Sequence, residues 1–348
     1  MSIKINSKIV SEKKNPFIIA EMSGNHNQSL SVALKIVKGV AEAGADAIKL
    51  QTYTADTMTL NSNHKNLIIK NKKSPWHNKN LYKLYKKGST PWKWHKKIFS
   101  LSRKLGLTAF STPFDKTSVE FLEKLKVPLY KIASFEITDL PLIKKVARTK
   151  KPMIISTGMA SINEIRDAVK IAKKNGCKKI ILLKCTSSYP SSLNEMNLKT
   201  LKELKKKFNC EVGLSDHTKG FTSAITSVAL GASVIEKHVK LNKKKSIDDS
   251  FSLDMVQFKE FVKKIRLAKK TLGKVYFGPT KSERKNLKYR RSIVAVSNIK
   301  IGEKFNENNI KCLRGIPGIK PKYYFRILGK ISKKNITLGT PINLSFVK

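Results

Sequence analysis

Short apolar runs alternate along most of the chain with segments in which apolar residues recur every three or four positions. The runs are rich in β-branched residues and have the length of strands, whereas the periodic segments are typical of amphipathic helices. The pattern predicts eight strands, at residues 16–23, 47–53, 107–113, 129–134, 152–157, 179–187, 210–218 and 233–239. The helices predicted between and after them cover residues 29–44, 92–106, 118–126, 162–176, 222–231 and 253–273.

This alternation of strands and helices predicts an α/β protein. Each parallel strand needs a crossover helix before the next strand, and eight such units over roughly 270 residues match a (β/α)₈ TIM barrel. An open, doubly wound parallel sheet is the structural alternative.

Polar side chains stand where each predicted strand stops. The stretch FIIAEMSGNHNQ, residues 17–28, passes from an apolar run into Glu21 and a series of hydrogen-bonding groups. One polar residue at a strand end is usually structural, but the carboxyl ends of barrel strands share a face, so the recurrence predicts an active site there. The side chains at these ends are Glu21, Lys49, Gln51, Ser111, Thr112, Lys131, Ser134, Glu136, Ser156, Thr157, Thr186, Ser187, Tyr189, Ser215, Asp216, His217, Glu236 and His238.

Two histidines stand at the ends of the last two predicted strands. His217 and His238 would be neighbours in a closed barrel, with Glu236 beside them. Two imidazoles can share a divalent ion and leave positions open for water and substrate. A single strand histidine is more often a packing residue, but the pair predicts a metal site.

Two lysines predict a phosphate pocket at the same face. Lys49 and Lys131 are surrounded by the hydroxyl groups of Ser134, Ser156 and Ser215. Cations ringed by hydroxyls form strong, charge-assisted hydrogen bonds with phosphate. In the alternative interpretation Glu21 and Glu136 neutralise two structural lysines. The residues alone thus indicate a metal-dependent enzyme that acts on a small phosphorylated anion.

The barrel pattern ends near Gly273. We expect a catalytic domain at residues 1–273, a linker at 274–288 and a small domain at 289–348 that contains Arg314. The last segment is too short to bury a large core of its own, so we expect it to pack on a barrel.

The charge of the chain is strongly positive. Lysine and arginine number 71 against 24 acidic residues, a formal net charge of +47, and such a balance can indicate nucleic-acid binding. The lysines are spread over nearly every polar segment, however, which is typical of solvated surfaces. The four cysteines form no C-x-x-C motif. No apolar run approaches a membrane span, and the basic N-terminal segment lacks a signal-peptide pattern, so we expect a cytoplasmic protein.

Motifs along the whole chain resemble those of the sialic acid synthase family. They are PFIIAEMSGNHNQSL, AIKLQTYTADTMTL, TPWKWHKKIF, FSTPFD, YKIASFEITDLPLI, IISTGMA, KCTSSYP, GLSDHT and VIEKH. SDHT and EKH are typical of the family, whereas AEMSGNHNQ and KIASFEITDLP are similar to its pseudaminic branch. The resemblance implies a TIM barrel joined to a small C-terminal antifreeze-like (SAF, β-clip) domain.

The resemblance also implies roles for individual residues. It makes His217 and His238 the ligands of a divalent metal (Mn²⁺, Mg²⁺ or Co²⁺) and makes Glu136 and Glu236 candidates for proton transfer. Phosphoenolpyruvate is assigned to Lys49, Thr112, Lys131, Ser134, Ser156, Ser187 and Ser215. The acetamido sugar is assigned to Glu21, Gln51, Tyr189 and Asp248, with the adjacent Asp249 as an alternative to Asp248.

An arginine of the small domain is implied to reach the sugar site of the neighbouring subunit in a domain-swapped homodimer. Arg314 matches it, although this chain has RGIPG where relatives tend to have R-P-G-x-G. Ser187 is a second departure, since sialic acid synthases tend to have Asn there.

The implied reaction is condensation of phosphoenolpyruvate with 2,4-diacetamido-2,4,6-trideoxy-L-altrose and water to give pseudaminic acid and phosphate. The alternatives are a sister enzyme that makes N-acetylneuraminic or legionaminic acid, a deoxy-heptulosonate synthase, which would lack the SAF domain, and a basic nucleic-acid-binding protein. The segment at residues 56–90 is expected to be either a lid over the site or a surface insertion.

Overall fold

A computed structural model describes residues 2–242 and 245–348. The chain divides into two compact units, Met1–Gly273 and Lys274–Lys348. Each unit has a hydrophobic core of its own.

The first unit contains a closed barrel of parallel strands. Its neighbours are hydrogen-bonded in the order β10-β3-β4-β5-β6-β7-β8-β9, and β9 pairs with β10 to close the ring. The eight predicted strands are therefore confirmed, and the closure excludes the open sheet. The strands described in this unit are β1 (Ile3–Ile5), β2 (Lys8–Val10), β3 (Phe17–Glu21), β4 (Ala47–Thr52), β5 (Thr108–Pro113), β6 (Tyr130–Ile132), β7 (Met153–Ser156), β8 (Ile180–Cys185), β9 (Glu211–Asp216) and β10 (Val234–His238).

Helices surround the barrel. The six predicted helices are present, and α6 and α8 complete the crossovers that the sequence pattern left without a helix. The helices described in this unit are α1 (Leu30–Glu42), α2 (Ala55–Met58), α3 (Leu81–Gly88), α4 (Trp92–Lys104), α5 (Lys116–Lys124), α6 (Leu140–Ala147), α7 (Ile162–Lys174), α8 (Thr200–Phe208), α9 (Thr222–Ala229) and α10 (Met255–Leu272).

The N-terminal hairpin of β1 and β2 was not predicted. Its inward side chains Ile3, Ile5 and Val10 belong to the same buried cluster as Phe17 and Ile19 of the barrel interior. The hairpin therefore packs against the amino-terminal end of the barrel. The stretch IKINSKIV does alternate around an Asn-Ser turn, but each strand has only three residues.

The interior of the barrel changes from apolar to polar along each strand. Successive strand residues point to opposite faces, so every second residue points into the barrel. On β3 these are Phe17, Ile19 and Glu21, and on β10 they are Val234, Glu236 and His238. Apolar residues fill the amino-terminal half, and the charged residues therefore meet at the carboxyl ends of the strands.

The second unit is a small β-rich domain. Strands β11 (Arg291–Ala295) and β12 (Ile310–Arg314) pair antiparallel, and α11 spans Tyr324–Ile327. Ile293, Phe305 and Ile310 belong to its buried core. Within the residues described, no helix in either unit has the length and apolarity needed to cross a membrane.

Candidate active site

A buried carboxylate lies between two ammonium groups at the carboxyl ends of the barrel strands. Glu236 Oε1 is 2.6 Å from Lys131 Nζ, and Glu236 Oε2 is 3.6 Å from Lys49 Nζ. Ser215 Oγ also donates a hydrogen bond of 2.9 Å to Glu236 Oε1. Burial alone would raise the pKa of Glu236, but the attraction of Lys131 and Lys49 outweighs it and lowers the pKa. Glu236 is therefore ionised at neutral pH.

Lys49 has a second carboxylate partner, Glu21 on the adjacent strand β3. Its ammonium group also donates to Thr112 Oγ1 at 3.1 Å. Burial alone would lower the pKa of Lys49, but Glu21 and Glu236 raise it. The alternative interpretation therefore named one partner correctly, Glu21. The second carboxylate that pairs with the lysines is Glu236 rather than Glu136.

Serine hydroxyls and a glycine lie beside this cluster. Ser156 Oγ is buried and has no hydrogen-bond partner within the described residues, while Ser134 Oγ accepts from the Gly158 amide at 3.2 Å. A Cβ atom at Gly158 would overlap Ser187 Oγ and lie 2.7 Å from Ser134 Oγ. Ser156 is the last residue of β7, so its unpaired hydroxyl is at the end of the barrel where the two ammonium groups lie, and it fits an oxygen of a bound anion. Gly158 was missed, although its position directly after a strand in IISTGMA was a signal.

The two histidines are close together, as predicted. The rings of His217 and His238 have centroids 5.3 Å apart. His217 Nδ1 is 3.1 Å from the carbonyl oxygen of Thr186, so Nδ1 carries the proton and Nε2 is left to bind a metal. His238 Nδ1 is buried without a hydrogen-bond partner among the described residues and lies 3.6 Å from Asp248 Oδ2.

The ring nitrogens of His217 and His238 suit a metal site of the open, catalytic type. A nitrogen bound to a metal at about 2 Å puts each ring centre on the order of 3 Å from the ion, which is compatible with the observed ring separation. In residues 2–242 and 245–348, no group of three or more His, Cys, Asp and Glu side chains is arranged to hold a metal. Two imidazoles would leave the other coordination positions of a bound ion to water and substrate, as in an open catalytic site.

Glu136 is electrostatically different from Glu236. It lies on the turn of Ser134–Glu136 that follows β6, and its Oε2 is buried without a hydrogen-bond partner in the described part of the chain. Burial, and to a lesser degree the charge of Asp139, raises the pKa of Glu136 to about 7. A carboxyl group with this pKa can both accept and donate a proton at neutral pH. Of the two glutamates predicted to move protons, Glu136 is the better suited.

Of the residues assigned to the sugar, Asp248 and Tyr189 contact the histidines, whereas Glu21 pairs with Lys49. Asp248 is buried and faces His238, whereas Asp249 Oδ1 binds Lys240 Nζ at 2.5 Å. Asp248 is therefore the better candidate. The ring of Tyr189 packs on His217 with centroids 4.5 Å apart. Gln51 is half-buried on β4, next to Thr112.

The segment at residues 56–90 contacts the mouth of the barrel. Trp76 Nε1 donates a hydrogen bond of 2.8 Å to the carbonyl oxygen of Ile247. Its ring lies 5.6 Å from the ring of Tyr189 and 6.1 Å from that of Phe251. These contacts favour the lid interpretation over a surface insertion.

His26 has a structural role. Its Nδ1 accepts from the Gln28 amide at 3.1 Å, and its Nε2 lies 3.1 Å from Thr90 Oγ1. Burial lowers the pKa of His26 to about 4, so the ring is neutral and fixes the turn after β3. The neighbouring Asn25, which the sequence did not single out, makes three buried hydrogen bonds.

Arg314 is exposed at the end of β12 in the second unit, where it pairs with Arg291. Its contribution to a sugar site stays a prediction.

Comparison with known proteins identifies the family to which this chain belongs. The NeuB family matches residues 36–276, and the SAF domain matches residues 290–348. The chain belongs to the NeuB family, which confirms the resemblance drawn from its motifs.

Individual relatives cover nearly the whole chain. Pseudaminic acid synthase of Campylobacter jejuni is 46% identical over 327 residues, covering 94% of this chain and 95% of the relative. N,N'-diacetyllegionaminic acid synthase of the same species is 40% identical over 333 residues, covering 92% and 97%. The crystal structure of N-acetylneuraminic acid synthetase from Leptospira borgpetersenii superposes with a TM-score of 0.73 at 30% identity, covering 82% of this chain and 95% of that one.

Proposed function

We propose that this protein is a pseudaminic acid synthase. It would condense phosphoenolpyruvate with 2,4-diacetamido-2,4,6-trideoxy-L-altrose and water, and release phosphate. The observation that carries the proposal is the convergence of Lys49 and Lys131 on Glu236 at the strand ends, together with the unpaired hydroxyl of Ser156 at the end of β7. The choice of sugar rests on the 46% identity to the Campylobacter jejuni enzyme of that name.

Phosphoenolpyruvate would bind on the lysine side of the site. Lys49 and Lys131 would contact its two acidic groups, and the surrounding hydroxyls would orient it through hydrogen bonds. The hydroxyls are those of Thr112, Ser134, Ser156, Ser187 and Ser215. The acidic groups of the ligand must compete with Glu21 and Glu236, which hold the ammonium groups in the structure.

The two histidines would hold a divalent ion, Mn²⁺, Mg²⁺ or Co²⁺. When bound, such an ion supplies a Lewis acid for the aldehyde oxygen of the open-chain sugar. His217 is oriented for this purpose by the carbonyl oxygen of Thr186. Asp248, together with Glu21, Gln51 and Tyr189, would hold the sugar with its aldehyde carbon facing the methylene carbon of phosphoenolpyruvate.

Glu136 would move the protons. The methylene carbon attacks the aldehyde carbon, the aldehyde oxygen takes the proton of the Glu136 carboxyl group and becomes a hydroxyl, and positive charge develops on the carbon that carries the phosphate ester. Water adds to that carbon and loses its proton to Glu136, whose pKa of about 7 suits a general base. The tetrahedral intermediate then breaks its C–O bond and releases inorganic phosphate. Glu236, held ionised by Lys131, would stabilise the positive charge.

The assembly and location of the enzyme belong to the same proposal. We propose a domain-swapped homodimer in which Arg314 of each chain completes the sugar site of the other. The enzyme would work in the cytoplasm, and it would bind no specific nucleic acid.

Phosphate release from phosphoenolpyruvate tests the proposal. The purified protein is assayed against the diacetamido-altrose, the legionaminic acid precursor and N-acetylmannosamine, each with and without a chelator. Release only with the altrose derivative is the expected result. Release only with one of the other two sugars would replace the proposal by the corresponding sister enzyme, to which the 40% identity with the legionaminic acid synthase gives weight. No release with any sugar would refute it.

A further inference from the structure

The turn after β3 holds the loop that carries Asp248. We call residues 245–252 the sugar loop. Asn25 is buried and contacts this loop with both ends of its carboxamide: Nδ2 donates to Ser252 Oγ at 2.9 Å, and Oδ1 accepts from the Asp248 amide at 3.1 Å. The other proton on Nδ2 goes to the carbonyl oxygen of Val239 at 2.9 Å.

These bonds fix the backbone of Asp248 on both sides. Ser252 Oγ, which accepts from Asn25, donates in turn to the Asp248 carbonyl oxygen at 2.6 Å. Asn25, Asp248 and Ser252 therefore form a closed ring of hydrogen bonds. The amide and carbonyl groups of Asp248 are thus both held, and its carboxylate lies towards His238, with Oδ2 at 3.6 Å from Nδ1.

The same turn also packs closely on the loop. A Cβ atom at Gly24 would lie 2.5 Å from Ile247 Cγ2 and 3.0 Å from the Cα of Gly88, at the end of α3. The contact therefore includes both the sugar loop and the segment at residues 56–90. The lysines of the phosphate pocket, by contrast, contact Glu21, Glu236 and Thr112.

We propose that Asn25 is a positioning residue for the acetamido sugar: it presets Asp248 for sugar binding and has no part in binding phosphoenolpyruvate. The inference rests on the proposed function. A loop that is already held in its bound conformation binds its ligand without the cost of ordering. Loss of Asn25 would therefore weaken binding of the sugar but not of phosphoenolpyruvate.

Asn25→Ala tests the proposal, with Asn27→Gly as the control, because Asn27 has a left-handed backbone with φ of 50° that glycine adopts without strain. Asn27 stands two residues further on, and its Nδ2 also donates to the sugar loop, at the Lys245 carbonyl oxygen, but in an exposed position. We expect Asn25→Ala to raise the KM for the sugar about tenfold or more, with the KM for phosphoenolpyruvate changed by less than about twofold. Asn27→Gly should leave both within about twofold. Equal effects of the two variants on the sugar KM would overturn the proposal.

A double-mutant cycle separates positioning from general damage. If Asn25 acts through Asp248, then Asn25→Ala should add little to the sugar KM of Asp248→Asn. Additive effects would contradict the proposal. If Asn25→Ala does not fold, Ser252→Ala replaces it in the cycle, since it opens the same ring from the loop side.

Hydrogen exchange gives a readout that needs no substrate. In the Asn25→Ala protein, we expect faster exchange in a peptide that contains the Asp248 amide and unchanged exchange in a peptide from β8. Unchanged exchange at Asp248 would refute the positioning role. If the wild-type protein releases no phosphate but exchange at Asp248 is faster in the variant, the proposed function fails and the role of Asn25 in holding the loop stands. If the wild type is active and exchange at Asp248 is unchanged in the variant, only the inference about Asn25 fails.

Discussion

Replacing Glu136 by glutamine should make the protein more stable above neutral pH while removing most of its activity. The carboxyl group is buried, and burial raises its pKa from 4.5 to about 7. The folded state holds this proton more tightly than the unfolded state does. The contribution of Glu136 to the free energy of unfolding is therefore fully present below about pH 4.5 and is lost as the pH rises through about 7. Glutamine has the same shape and never ionises, so the variant does not lose unfolding free energy as the pH rises.

The magnitude follows from the two pKa values. A carboxyl group whose pKa rises from 4.5 to about 7 on folding costs about 3 kcal/mol of unfolding free energy once it is ionised in both states, at about 1.4 kcal/mol for each pKa unit. We therefore expect Glu136→Gln to exceed the wild type by up to about 3 kcal/mol at about pH 8 and to equal it at about pH 4. The turnover number should fall by roughly a hundredfold or more, as for loss of a general base.

Urea unfolding followed by circular dichroism between about pH 4 and about pH 8 measures this difference. Glu260→Gln is the control, because Glu260 is exposed on α10 and its replacement should change the unfolding free energy by less than about 0.5 kcal/mol at every pH. A difference between Glu136→Gln and the wild type that does not change with pH would refute the reasoning. So would a variant that is less stable than the wild type at about pH 8.

Three further predictions concern the metal, the phosphate pocket and the dimer. His217→Ala or His238→Ala should keep the fold but lose activity, and a chelator should stop the wild type until Mn²⁺, Mg²⁺ or Co²⁺ is restored; full activity after exhaustive chelation would contradict the metal site. Lys49→Met or Lys131→Met should raise the KM for phosphoenolpyruvate far more than that for the sugar, and equal effects would mean that the lysines are structural. Arg314→Ala and His238→Ala subunits, each inactive alone, should regain partial activity when mixed, since one site of a swapped heterodimer is intact; no recovery despite proven subunit exchange would exclude swapping.

The sequence predicted the barrel strands well because each one is buried on both faces and bounded by a turn. The hairpin of β1 and β2 was missed for a physical reason: two strands of three residues have too little alternation to stand out from a basic N-terminal segment. Its stability comes from packing Ile3, Ile5 and Val10 on the barrel, and the local pattern does not contain that contact.

Within the site, the sequence predicted which side chains meet but not how they pair. Lys131 and Glu236 are on different strands and far apart in the chain. Lys131 Nζ and Glu236 Oε1 come within 2.6 Å because both side chains point into the barrel at the same level. Glu136 lies on the turn beyond its strand and is therefore not part of the side-chain layer inside the barrel. The choice between Asp248 and Asp249 depended on the direction of each side chain: Asp248 faces His238, whereas Asp249 binds Lys240.

The pairing of Glu21 and Glu236 with the two buried lysines has a consequence for selectivity. A chain with a formal net charge of +47 gathers small anions such as chloride and phosphate around its surface. Two uncompensated lysines at the carboxyl ends of the barrel strands would trap these ions and block the site. Because carboxylates already hold both ammonium groups, a simple ion gains too little to displace them. A ligand with two acidic groups and several hydrogen-bonding partners can do so, and the resting site thereby rejects the ions that the rest of the molecule attracts.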